Sequence, residues 1–384
     1  MATPKNVVEL LQDLVAIPSV NPQGQPGTDH VGEQAIAEYV ADFLRALGAE
    51  IALEPVEPGR PNVMATFSPE KAKSAPHFAF APHLDTVSVA GMTIGPFDPA
   101  IRDGKLFGRG STDTKGPMAA ALWALREWAQ SPARARSQVK WTFLGLMGEE
   151  AGNGGALAMA AKKFSSDLTL VLEPTKLGVV TAHKGTFWFE VETTGLACHS
   201  STPEEGRNAI YAMRRIIAAV EEKIIPGLAG ETHPRLGPAT LNVGTIRGGS
   251  KTNIVPDRCR IEVDSRIIPG IDVDAFRRWV EAELRTVVPD VAVHWQRPSL
   301  PLSTDESLPW VRRLGTQAKG FVGAPWFSDA AILSAPYCPA VCIGPGSIAQ
   351  AHTKDEFILL SDLEEGTELF RRWISICEER PHES

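Results

Sequence analysis

Apolar positions along the chain switch between two periods. Val7, Leu10, Leu11, Leu14 and Val15 repeat at helical spacing behind Thr3-Pro4, which reads as a cap and first-turn proline. Ile36, Val40, Phe43, Leu44 and Leu47 give a second helix closed by Gly48. Next come a strand over about 77–84, a helix opening at Pro117, a strand over about 139–147 and a short apolar strand over about 168–172. This order of β and α elements predicts an α/β fold with a mostly parallel sheet covered by helices on both faces.

From about residue 184 the texture changes. Phe187–Thr194 reads as a strand, Ile210, Met213, Ile217, Val220 and Ile224 as one helix stripe, and 239–246 and 258–266 as two further strands. Asp272 caps a helix with Val273, Phe276, Val280 and Leu284 on one face, and Val291–Trp295 closes the set. The order β-α-β-β-α-β is the ferredoxin-like pattern, which can form its own core. After about 298 the α/β texture returns: an apolar strand at Ala340–Gly344, a Gly/Pro loop, and a capping box Ser361-Asp362-Leu363-Glu364 opening the last helix. The expected architecture is a discontinuous α/β domain of residues 1–183 and 298–384, with a smaller ferredoxin-like α+β domain of residues 184–297 inserted. No internal repeat is visible.

A length of 384 residues suits two cores, and 43% hydrophobic with 22% charged residues is an ordinary globular composition. The net charge of −8 argues against nucleic acid or an anionic membrane as partner, since both require a basic face. Basic pairs such as Arg214-Arg215 lie within helical patterns that also carry Glu and read as solvated faces. Five cysteines without a C-x-x-C pair speak against a disulfide framework or a cysteine zinc site. The N-terminus runs directly into an amphipathic helix, and no stretch approaches a membrane span, so a cytoplasmic location is expected.

In an open α/β sheet, ligands bind beyond the carboxyl ends of the strands. The expected strands end in His83-Leu84-Asp85, in Gly148-Glu149-Glu150, in Glu173-Pro174, and in a loop running through Gly344-Pro345-Gly346 to His352. The loop Gly108-Arg109-Gly110-Ser111-Thr112-Asp113 falls on the same edge. Each piece alone is ordinary, but together they are the donors of a metal centre. Asp113, Glu150 and Glu173 supply three negative charges, and His83 and His352 bind as neutral imidazoles. With a bridging hydroxide, two divalent cations leave the cluster near neutral. Imidazole with carboxylate suits zinc best, with cobalt or manganese as alternatives. Asp85, two residues from His83, can take the other imidazole proton. Gly148 and the run Gly152-Asn153-Gly154-Gly155 permit a turn bringing both Glu149 and Glu150 to the site, one to ligate and one to act as base. A G-x-S-x-G elbow, H-E-x-x-H, a Walker A loop and G-x-G-x-x-G are all absent.

These residues, in this order, resemble the M20 metallopeptidase family, which includes acetylornithine deacetylase, succinyl-diaminopimelate desuccinylase, aminoacylase and glutamate carboxypeptidase. The matching stretches are Pro82 to Val87, Gly108 to Gly116, Gly148 to Gly152, Leu172 to Pro174, His183 to Gly185, Cys198 to Pro203, Gly248 to Asn253 and Gly344 to Thr353. The resemblance implies that Asp113 bridges two metals, that His83 and Glu173 complete one site, and that Glu150 and His352 complete the other. It implies Glu149 as the general base that deprotonates the bridging water and protonates the leaving amine. It also implies that the inserted domain is a lid and dimerisation domain. There His199 would reach the partner subunit's site to stabilise the oxyanion, and Asn253 and Arg266 would hold a substrate carboxylate.

Two positions depart from the family pattern: Pro82 stands where Gly is usual, and Gly148 where Asp commonly precedes the Glu pair. Neither removes a ligand. The expectation is therefore a di-zinc hydrolase cleaving the amide bond of a small N-acyl amino acid, active as a homodimer. The alternatives are a dipeptidase or carboxypeptidase with the same chemistry, and a metal-free amino-acid-binding paralogue. The last should lack a ligand or the base, and all six residues are present.

Overall fold

The computed structural model describes residues 3–23, 30–69, 75–334 and 338–379. In chain order its principal elements begin with α1 (Val7–Ala16), α2 (Gln34–Ala46), β1 (Glu50–Glu57), β2 (Arg60–Phe67), β3 (His77–Ala81) and α3 (Lys115–Ala129). They continue with β4 (Lys140–Gly145), α4 (Gly154–Ala161), β5 (Leu168–Val171), β6 (Val179–His183), β7 (Phe189–Thr194) and α5 (Ala209–Ala219). The remainder are β8 (Thr240–Gly248), β9 (Arg258–Ile267), α6 (Val273–Val287), β10 (Ala292–Trp295), α7 (Pro309–Gln317), β11 (Ala340–Cys342) and α8 (Leu360–Glu379). They form two compact units. The first comprises Met1–Thr181, Thr304–Val322 and Ser328–Ser384; the second comprises Ala182–Ser303 and Gly323–Phe327.

The first unit is α/β. Its sheet runs in the order β1-β2-β4-β3-β5-β11-β6. The middle is parallel, β3 pairing with β4 and β5, and β5 with β11. The flanks are antiparallel, with β1 on β2, β2 on β4, and Cys342 of β11 opposite Val180 of β6. The core floor under these strands is aromatic. Phe80 stacks on Trp141 at 5.7 Å, and Phe78 meets Trp310 edge-on at 4.7 Å. Each such ring contributes about 1.5–3 kcal/mol by leaving water, and close packing makes the floor stiff where the loops must be aimed.

Four local expectations are corrected. The cap of α1 is Asn6, not Thr3-Pro4: its Oδ1 accepts the Glu9 N–H at 2.8 Å. The helix expected at Pro117 begins at Lys115, so Pro117 sits in the first turn, where no intrahelical donor is needed. The β1–β2 hairpin fills a stretch that periodicity leaves blank. Finally, Ser361 does not cap the last helix. A short strand, Phe357–Leu359, pairs with Lys105–Phe107, and the Leu360 N–H goes to the Gly104 carbonyl at 2.9 Å, so the helix starts at Leu360.

The second unit is α+β. Its sheet order β8-β9-β7-β10 is antiparallel throughout. With α5 and α6 as the crossing helices, this is ferredoxin-like topology. Asp272 caps α6, its Oδ1 accepting from the Ala275 N–H at 2.9 Å. Phe276, Val280 and Leu284 of α6 join Met213 and Ile216 of α5 in the unit's own core, with Val191, Ile261 and Val263 from the sheet. Among the described residues, no helix is long and apolar enough to cross a membrane.

Candidate metal centre

Because β3, β4, β5 and β11 run parallel, their carboxyl ends open on one edge of the sheet, and each carries a donor there. His83 follows β3, Glu149 and Glu150 follow β4, Glu173 follows β5, and the loop after β11 leads to His352. Asp113 arrives from the loop before α3. Its Oδ1 lies 3.0 Å from His83 Nε2, and its Oδ2 lies 3.4 Å from His352 Nε2. His352 Nε2 is also 3.1 Å from Glu150 Oε2. Two groups of three donors result, His83 with Asp113 and Glu173, and Asp113 with Glu150 and His352, each gathered within 4.8 Å. Asp113 belongs to both.

The loops are fastened from behind. Glu356 is fully buried, and its carboxylate accepts the N–H groups of Gly110, Thr112 and Asp113 at 2.9–3.0 Å while pairing with Arg109 Nη1 at 2.7 Å. Gly110 has φ +83, and a Cβ there would stand 2.9 Å from Thr86 Cγ2, so the loop requires glycine at that point. Gly148, at φ +76, makes the turn that brings Glu149 and Glu150 round together. The two N–H groups exposed by that turn, those of Glu149 and Glu150, both donate to the Asp85 carboxylate at 3.0 Å, with the Asn21 amide adding a third bond at 2.8 Å. Asp85 therefore acts differently from the expectation: His83 Nδ1 is nearest its backbone carbonyl, at 2.9 Å, and 3.4 Å from its carboxylate. His352 is held at φ +62, a conformation a side-chain-bearing residue keeps only where its surroundings enforce it.

Electrostatics make this edge a demand for cations. Burial and the neighbouring Asp113 push the Glu173 carboxyl well up, and burial with Glu173 does the same to Glu149. Burial and Asp113 raise Glu150, whose Oε1 is buried with no hydrogen-bond partner among the described residues. Hydrogen bonds that His352 donates to the Asp113 and Glu150 carboxylates raise it to about 10. Burial would depress His83, but Asp113 and Asp85 together hold it well above its ordinary value. Crowded acids, two imidazoles aimed at the shared one and an orphaned carboxylate oxygen fit divalent metal ions.

In the second unit, His199 is exposed, and its Nδ1 lies 2.7 Å from Ser201 Oγ. The Ser200 N–H donates to the Asn253 carbonyl at 3.2 Å and an isolated bridge pairs His199 with Ile254, so the loops carrying His199 and Asn253 lie side by side. Arg266, on β9, pairs with Asp264 at 3.0 Å.

The sequence profile of peptidase family M20/M25/M40 matches residues 79–375. The chain belongs to this family. As an M20 protein it is a metal-dependent hydrolase. It is 30% identical to the acetylornithine deacetylase of Proteus mirabilis over 383 residues, covering 96% of this chain and 95% of that one. It is 26% identical to a probable succinyl-diaminopimelate desuccinylase of Staphylococcus epidermidis, covering 91% and 92%. The fold is shared with a Staphylococcus aureus tripeptidase at a TM-score of 0.78 and 19% identity, covering 99% of this chain and 100% of that one. Several residues that shape this M20 site escape sequence reading: Asn21, Glu356 and Asp329, and the role of the Asn153 amide. Only Asn153 left a trace, within the Gly-rich run after the glutamates.

Proposed function

We propose that this chain is a two-metal amidohydrolase that removes the acyl group from an N-acylated amino acid. The observation that carries the reading is Asp113, which turns one carboxylate oxygen toward His83 and the other toward His352. His83, Asp113 and Glu173 would hold one ion, and Asp113, Glu150 and His352 the other. The donor set favours zinc, with cobalt or manganese as substitutes. When bound, such a pair lowers the pKa of water and polarises a scissile carbonyl.

The chain's own residues do the rest. Glu149 takes a proton at its carboxylate and returns it to the leaving amine; burial and the neighbouring Glu173 raise its proton affinity above that of an ordinary carboxylate. Asp85 orients it by gripping the Glu149 and Glu150 N–H groups. The first unit forms the catalytic domain and the second the lid, with the junctions at Thr181/Ala182 and Ser303/Thr304, near the 183/184 and 297/298 expected from sequence, and with Gly323–Phe327 also in the second unit. Two copies associate through their lids, so that His199 of one stabilises the oxyanion in the other, while Asn253 and Arg266 bind the substrate carboxylate. The substrate class is supported by the deacetylase and desuccinylase names of the sequence relatives. All five cysteines are unpaired, in keeping with a reducing, cytoplasmic setting.

A panel of N-acyl amino acids and dipeptides, assayed with zinc, cobalt and manganese, tests the proposal. Release of free amino acid from the acylated substrates and two metals per chain are expected. Hydrolysis confined to dipeptides would replace the deacylase with a peptidase, and less than one metal per chain after zinc reconstitution would overturn both.

A further inference from the structure

Asp329 is neither a ligand nor the base in the reading above, yet it is only 1% exposed. It precedes a single helical turn, Ala330–Leu333. Its Oδ1 accepts a hydrogen bond from the Asn153 side-chain amide at 3.0 Å, and its Oδ2 is buried with no partner among the described residues. The same Asn153 amide donates to the Glu149 carbonyl at 3.2 Å, and the Asn153 N–H donates to the Gly148 carbonyl at 2.7 Å. Asn153 stands at φ +52, in the left-handed region. Its side chain thus has a fixed starting direction, and both amide hydrogens are committed, one to the Glu149 carbonyl and one to the Asp329 carboxylate.

A carboxylate buried with an oxygen unpartnered is costly, and an apolar residue would fill the same volume more favourably. The acid is therefore retained for what it holds. We propose that Asp329 is a positioning residue for Glu149: it orients the Asn153 amide, which pins the Glu149 carbonyl and so sets the direction of the Glu149 side chain. This rests on Glu149 being the base. Burial pushes the Asp329 carboxyl up to about 7, but its Oδ1 can accept from Asn153 in either protonation state. Positioning is thus carried by the hydrogen bond and not by the charge.

The test uses the zinc-loaded full chain with an N-acyl amino acid that it hydrolyses. Asp329→Ala should lower kcat about 10–100-fold, the penalty of a misplaced catalytic group, with KM and metal content unchanged. Asp329→Asn, which keeps an acceptor for Asn153, should restore most of kcat. Asn153→Gly, which keeps the left-handed backbone but loses the amide, should reproduce the loss, and combining it with Asp329→Ala should add little. In a Glu149→Gln background Asp329→Ala should cost nothing further. Hydrogen–deuterium exchange should be faster at the Glu149, Glu150 and Asn153 amides of Asp329→Ala, with or without metal. The proposal is overturned if Asp329→Ala costs as much without Glu149 as with it, if KM or metal content moves in place of kcat, or if Asp329→Asn is as impaired as Asp329→Ala. Near-full activity of Glu149→Gln alone would instead remove the base itself, and the positioning with it.

Discussion

Replacing Glu356 by glutamine changes one atom and tests how the metal edge is built. In the native protein Oε1 accepts from Thr112 and Asp113, and Oε2 from Gly110 and Arg109. A glutamine retains one accepting oxygen and puts an NH2 group against two donors, whichever way the amide is turned. Two bonds to a buried charged group are lost, at about 1.5–3 kcal/mol each, or about 3–6 kcal/mol together. Against a total stability of about 5–15 kcal/mol this is a large fraction. Asp113, whose own N–H is one of the four donors, also loses its anchor, and metal affinity should fall about 10–100-fold. Urea denaturation followed by tryptophan fluorescence, on metal-free and zinc-loaded protein, measures the first effect, and competition with a chelator measures the second. A Glu356→Gln protein within about 1 kcal/mol of wild type, with unchanged zinc affinity, would refute the view that this carboxylate assembles the Asp113 loop.

Other outcomes follow from the same geometry. Glu149→Gln should keep two metals per chain and lose about 10²–10⁴-fold in turnover, as removal of a general base does; near-wild-type turnover would exclude it as the base. Asp113→Ala should fall below one metal per chain by elemental analysis, because both donor groups include it; two retained metals would show that it bridges nothing. His183 is held neutral by burial, which lowers its pKa to about 4, its Nδ1 lying 3.0 Å from the Lys184 carbonyl. Below about pH 6.5 the unfolded chain binds a proton that the folded chain refuses until about pH 4, so stability falls as pH falls through that window. His183→Phe should flatten that slope in denaturation measured from pH 7 to 4, and an unaltered slope would mean that another group sets it.

The donors were legible because strand ends are. Hydrophobic runs locate β3, β4 and β5, and the rule that ligands gather at carboxyl ends then singles out His83, Glu150 and Glu173 without any spatial information. His352 is legible only as a polar residue beyond a Gly/Pro loop, and its left-handed φ has no sequence signal. What supports the donors was not legible. Glu356 grips N–H groups 243 to 246 residues away, Asn21 reaches Asp85 across 64, and Asp329 reaches Asn153 across 176. No period or spacing connects such pairs. The β1–β2 hairpin was missed for a simpler reason. β1 never alternates cleanly between buried and exposed positions, and Pro55, Pro58 and Pro61 read as breaks, whereas the turn at Pro58-Gly59 joins two strands.

β11 lies between β5 and β6 in the sheet, although Cys342 comes 159 positions after the end of β6 at His183, and Cys342 faces both Val171 and Val180. During synthesis the first unit must therefore wait with a slot open in its sheet. The second unit, most of it one continuous stretch, can emerge and close its own core meanwhile. The ribosome has already translated nine-tenths of the chain when residues 340–352 arrive to fill the slot and deliver His352. A nascent chain stalled before that point should be an aggregation-prone intermediate with no complete second donor group, however well its second unit has folded.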